Sequence, residues 1–133
     1  MTLPAQTISV SIPRDCHAVY DAIWRPETFP RWASGLARSG LRPGGDAWAA
    51  EGPEGPIRIR FTPHNPFGVM DHVVEVGGAI VSVPMRVIAN QEGAEVMLTL
   101  FRQPGMSDAK FAEDAAWMMR DLEALRAWLT TEV

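Results

Sequence analysis

Few side chains in this sequence are equipped for chemistry: three histidines, one cysteine and a scatter of carboxylates. His72 stands out because it lies in a strand-like run, Val69 to Val76, between the alternating apolar residues Met70 and Val74. A period of two puts those three side chains on one face. An imidazole there can hydrogen-bond a ligand carbonyl or hydroxyl, or act as acid or base near neutral pH. The plainer reading is a neutral ring satisfied by a backbone partner, as buried polar groups generally are. Asp71 and Glu75 fall on the opposite face, so no second acid or base joins His72, and ligand anchoring is favoured over catalysis.

The remaining reactive residues carry weaker signals. Cys16 sits in the first turn of a short helix, where the dipole can lower a thiol pKa, but Asp15 and His17 supply no fixed cation. His64, within Pro63-His64-Asn65-Pro66, belongs to a loop bordering a pocket entrance or lying in solvent. His17, His64 and His72 show no metal-ligand spacing, and Ser34 lacks the leading glycine of a nucleophile elbow. No glycine loop matches a phosphate cradle. No cofactor and no metal are expected. Trp32 and Trp48 are large, carry an indole N–H, and suit either a pocket mouth or a filled core. Met70, Met85, Met118 and Met119 suit either an adaptable wall or ordinary core.

These residues need elements to position them. Ile8, Val10 and Ile12 alternate with Thr7, Ser9 and Ser11, a half-buried strand. Asp15 is placed as N-cap of a helix running to about Trp24, and Pro26 as the start of a second short helix to about Ala33. Ser34 to Gly45 reads as a connection. A meander of hairpins follows: Ala47–Glu51, Pro56–Thr62, Val69–Val76, Ala79–Ala89 and Ala94–Arg102. Their turns are Gly52-Pro53-Glu54-Gly55, Gly77-Gly78 and Asn90-Gln91-Glu92-Gly93. From Ser107 to Thr131, Phe111, Ala115, Met118, Leu122, Leu125 and Leu129 draw one apolar stripe along a helix roughly 37 Å long. Such a helix must lie across something apolar, and the sheet is the one candidate.

Closing each turn fixes register, because paired residues share a face. Gly77-Gly78 sets Val76 opposite Ala79, so Val74 meets Val81, His72 meets Val83 and Met70 meets Met85. The Asn90–Gly93 turn sets Val87 opposite Val96, Met85 opposite Leu98 and Val83 opposite Leu100. The Gly52–Gly55 turn sets Trp48 opposite Ile59 and Ala50 opposite Ile57. The concave face then carries Trp48, Ile57, Ile59, Phe61, Met70, His72, Val74, Val83, Met85, Val87, Val96, Leu98 and Leu100. Arg58, Arg60, Asp71, Glu75, Arg86, Glu95 and Met97 face outward.

Composition bounds the function. The chain has 133 residues, 47 % hydrophobic and 21 % charged, with a formal net charge of -4. That suits one domain spanning 1–133 and argues against nucleic acid or an anionic membrane as partner. No apolar stretch is long enough to span a bilayer. The opening MTLPAQTISV has neither the basic nor the apolar region of a signal peptide, and a lone cysteine fits a reducing compartment, so a cytoplasmic location is expected.

The segments Ile12-Pro13, Val19-Tyr20, Phe29-Pro30-Arg31-Trp32, Asp71-His72-Val73-Val74, Pro84-Met85-Arg86-Val87, Thr99-Leu100-Phe101-Arg102, Phe111-Ala112 and Asp121-Leu122 together resemble the START-like (SRPBCC, polyketide-cyclase-like, Bet v 1-like) superfamily in a small bacterial branch. The resemblance covers nearly the whole chain. It implies an α+β helix-grip fold, with a curved antiparallel sheet of about six strands around a long C-terminal helix and two short helices after the first strand. It further implies a cavity for lipids, sterols, hormones or polyketides, without implying one activity. The expectation is a binder of a small hydrophobic molecule, monomeric or homodimeric, lined by Trp32, Trp48, Ile59, Phe61, Met70, His72, Val83, Met85, Val87, Leu98, Phe111, Met118, Met119 and Leu122. The alternatives are a cyclase or dehydratase using His72 as acid or base, and a protein-escort domain whose cavity is incidental.

Overall fold

The structure, a computed structural model, describes residues 1–34, 37 and 39–131. Strand β1 (Ala5–Ile12) buries Ile8, Val10 and Ile12, as the alternation requires. Helix α1 (Cys16–Ile23) follows, its first backbone N–H groups from His17 and Ala18 donating to the Asp15 carboxylate at 3.0 and 3.2 Å. Its ridge of Val19 and Ile23 is fully buried. The second short helix, Pro26–Arg31, is a 3-10 turn with Pro30 inside it. Pro30 has no N–H to give an α-helical ladder, which limits the segment to one tight piece.

The rest of the sheet comprises β2 (Arg42–Gly44), β3 (Ala47–Gly52), β4 (Gly55–Phe61), β5 (His72–Val76), β6 (Ala79–Val83), β7 (Met85–Asn90) and β8 (Gly93–Phe101). The strands form a three-stranded sheet, β1-β8-β7, and a five-stranded sheet, β2-β3-β4-β5-β6. The registers derived from the Gly52–Gly55, Gly77-Gly78 and Asn90–Gly93 turns hold along the paired strands: Trp48 faces Ile59, His72 faces Val83, and Met85 faces Leu98, while the expected pairs Met70–Met85 and Val83–Leu100 fall outside the ladders. Gly77 and Gly78 both take positive φ, 55° and 81°, which a tight two-residue hairpin demands.

Two differences raise the strand count above the expected six. Arg42–Gly44, expected as connection, pairs with β3 as a short edge strand that tolerates Pro43 because an edge needs no inward N–H there. The expected single strand Ala79–Ala89 is split at Pro84. Thr99 N–H donates to the Pro84 carbonyl at 2.9 Å, but Pro84 has no N–H to return. The ladder breaks, and the chain leaves β5 for β8. The expected strand at Val69 likewise starts at His72, with Val69 bridging Arg86 alone.

Helix α2 (Asp108–Thr131) crosses the concave side. Ser107 caps it, its hydroxyl accepting the Lys110 N–H at 3.1 Å. Lys110 reaches back to Glu54 in the β3–β4 turn at 3.4 Å. Towards the C-terminal end, Leu122, Leu125 and Leu129 are 0, 0 and 1 % exposed, whereas Phe111, Met118 and Met119 are only half-buried. The helix is clamped at one end and loose at the other.

Candidate functional site

The inner face is built as the register requires. Ile59, Met70, His72, Val83, Met85, Val87, Leu98 and Leu122 are buried, with Trp32 beside them. All but His72 belong to one contiguous apolar core, against which Phe61, Met118 and Met119 pack while half-buried. Trp48 and Phe111 are half-buried and lie outside that cluster. So eleven of the fourteen expected lining residues meet in or on one core, His72 packs on it through Phe29 and Phe61, and Trp48 and Phe111 lie outside it.

His72 is 4 % exposed. Its Nδ1 lies 3.0 Å from the Met70 carbonyl, so Nδ1 carries the proton and donates. That is the ring's one hydrogen bond among the described residues. Burial holds the imidazole below its ordinary pKa of 6.5, opposed by the Met70 bond and by Asp71. The neutral ring therefore keeps a lone pair on Nε2. Around it, Phe29 meets His72 edge-on at 5.5 Å and 86°, and Phe61 lies 5.8 Å from it. Phe29 also packs on Trp32 at 5.0 Å and on Phe61 at 4.6 Å. The Trp32 indole N–H is buried without an acceptor among the described residues. Trp128 Nε1 is too, but its ring lies under the Arg31 guanidinium at 4.1 Å, at the clamped end of α2.

Asp71 and Glu75 turn outward, as the period of two dictates. Asp71 pairs with Arg86 at 2.7 Å, and Glu75 with Arg60 at 3.5 Å. The hydrogen bond from Arg86 is the main reason the Asp71 carboxyl sits below its ordinary 3.8.

One buried carboxyl group was not anticipated. Asp121 is 6 % exposed and accepts a hydrogen bond from Ser34 Oγ at 2.9 Å. The Trp117 indole donates to the same Ser34 oxygen at 3.3 Å. This ties the segment after Trp32 to the middle of α2. A signal was present, since Asp121 stands three residues after Met118 and four before Leu125, on the buried stripe itself. Tyr20 is buried, and its hydroxyl accepts the Asn65 N–H at 3.0 Å. His64 stacks on Trp24 at 4.3 Å and on Tyr20 at 5.5 Å.

Two clefts open away from the sheet–helix interface. One, of about 690 Å³, runs between α1, the Pro63–Gly68 loop and β7, with Cys16, His17, Asp21, His64 and Phe67 on its walls. The other, of about 780 Å³, lies between the β1–α1 and β7–β8 turns. Among the described residues no group of three or more His, Cys, Asp or Glu could hold a metal. No helix there is long and apolar enough to cross a membrane.

A split antiparallel sheet folded over one long C-terminal helix is shared with many solved structures. A START superfamily protein from Mycobacterium smegmatis superposes with a TM-score of 0.67 at 9 % identity, over 97 % of this chain and 99 % of that one. The chain has a START-like helix-grip fold. Ara h 8.0201 shares the helix grip with a TM-score of 0.69 at 11 % identity, over 98 % and 99 % of the two chains. DynU16, a protein in the dynemicin biosynthetic locus, matches with a TM-score of 0.73 at 16 % identity over 96 % of this chain. This helix grip spans only 47 % of DynU16. No family model and no curated protein sequence matches the chain.

Proposed function

We propose that this helix-grip domain binds a small apolar molecule of the lipid, sterol or polyketide-like kind between the five-stranded sheet and the N-terminal half of α2. The observation that carries this is the burial gradient along α2. Leu122, Leu125 and Leu129 are sealed, while Met118, Met119 and Phe111 are half-covered on the same helix, and Phe61, Val76 and Val81 are half-covered on the sheet. Apolar surface left half-covered on two facing elements is what a ligand would cover, and flexible methionines adapt to its shape. Orientation would come from His72 and Trp32, the polar groups set into the apolar wall.

A catalytic reading has less support. His72 has one nitrogen committed to Met70, and its acidic neighbour Asp71 faces away, paired with Arg86. An escort role has little more, because Arg58 pairs with Asp46 and Arg60 with Glu75 across the outer sheet face.

Native mass spectrometry with a panel of fatty acids, fatty alcohols, sterols and aromatic polyketides tests the proposal. A saturable one-to-one adduct that quenches tryptophan fluorescence is expected, weakened by Met118→Trp, which fills the loose end. No adduct across the panel overturns it.

A further inference from the structure

We propose that the inner face selects a neutral molecule bearing a hydroxyl near Phe29 and discriminates against the matching carboxylate, an inference that rests on the binding function proposed above. Two rings that carry polar atoms of opposite character pack against the Phe29 ring. Trp32, 3 % exposed and 5.0 Å from that ring, offers a buried N–H with no acceptor among the described residues. His72, its ring 5.5 Å from that of Phe29, donates its Nδ1–H to the Met70 carbonyl and keeps Nε2 as an acceptor.

An alcohol or phenol oxygen carries one proton and two lone pairs, so it can accept from the indole and donate to Nε2. A ketone or ester serves only the indole. A carboxylate brings lone pairs alone and sets them against the lone pair of Nε2. Protonating the imidazole would remove that conflict, but burial opposes a charged ring. The surrounding charge points the same way. Among the described residues no lysine or arginine is buried, and the other buried ionisable groups, Asp121 and Tyr20, are both acids. An ion entering this interior would lose its hydration without gaining a counter-charge from these residues.

The test uses matched pairs near neutral pH: 1-dodecanol against dodecanoate, and 2-naphthol against 2-naphthoate. Binding is titrated calorimetrically, and the indole resonances are followed in a 1H–15N spectrum, with Trp32 assigned by its disappearance in Trp32→Phe. In at least one pair the alcohol is expected to bind about tenfold or more tighter, a difference worth one good polar contact, and to move the Trp32 indole signal. Trp32→Phe and His72→Phe should each shrink that preference towards one, and circular dichroism establishes which variants remain folded. Trp32→Phe suffices if His72→Phe does not fold. Equal or tighter binding of the carboxylates, or a preference untouched by Trp32→Phe, overturns the selectivity and leaves the binding function standing. No binding by any of the four probes removes both.

Discussion

The Asp71 carboxylate accepts the backbone N–H of Met85 at 2.9 Å, standing in for the strand partner that Pro84 denies its neighbour. The same Oδ1 takes Arg86 Nε at 3.1 Å. Asp71→Ala leaves the Met85 N–H, in a fully buried residue, without an acceptor. That is expected to cost about 1–3 kcal/mol. Arg86→Ala breaks only a half-exposed ion pair and should cost below about 1 kcal/mol. Urea unfolding of the two variants decides it; equal losses would mean that the ion pair, not the backbone contact, is what matters.

His72 predicts an acid limb in the stability profile. Its folded pKa lies below the ordinary 6.5, so above that pH both states hold a neutral ring and its contribution is whole. As pH falls below 6.5 the unfolded chain takes up the proton first. Stability then declines, by at most about 1.4 kcal/mol per pH unit for this one group, until the folded ring protonates. Asp71, held below 3.8, contributes above that value and is lost only at more acid pH. Denaturant unfolding from pH 8 to 5 should show a decline that is shallower in His72→Phe. An identical slope in the variant refutes the assignment.

Gly68 is irreplaceable on two grounds. Its φ is 71°, and a Cβ built there would stand 2.2 Å from the Val87 carbonyl oxygen, which is backbone and cannot swing aside. Gly68→Ala should destabilise by about 2–4 kcal/mol, combining left-handed strain with the clash. Thermal unfolding would show it. A loss under about 1 kcal/mol would mean that the loop can shift freely.

The gradient along α2 gives a paired prediction. Leu125→Ala empties a sealed position and should cost about 3–5 kcal/mol, while Met118→Ala, at the half-covered end, should cost less than half as much. Equal costs would show that the helix is packed evenly and would weaken the case for a ligand at its N-terminal half.

Much of the inner face could be read from turns. Gly77-Gly78 and Asn90–Gly93 each admit one closure, and a period of two then assigns every side chain, which is why Met85 and His72 fall where expected. Pro84 was legible too, as a residue that cannot donate to a ladder, yet its apolar neighbours Val83 and Met85 keep the alternation unbroken and hide the bend. What periodicity does not carry is contact between distant segments. Ser34 and Asp121 are 87 residues apart, and the stack of His64 on Trp24 joins a loop to a helix end. Neither pair follows a repeat. Side-chain spacing likewise marked Met118 and Leu125 as equivalent, because a stripe records direction and not how closely the facing surface approaches.

The break at Pro84 makes the sheet resemble a book whose spine is a short seam: Pro84 itself, the Val69–Arg86 bridge, and the backbone hydrogen bonds that join Met70 to Met85 and Val87 to Gly68. One leaf, β1-β8-β7, packs on α2 through β1; the other comprises β2 to β6. A change in the angle between the leaves would spare the rungs of both ladders and fall on that seam, where any adjustment of the container's capacity would have to be made. Amide exchange read strand by strand should find Val96 and Leu98 closed long after Ala79 to Ser82 have opened, and uniform protection across Pro84 would show the two leaves moving as one.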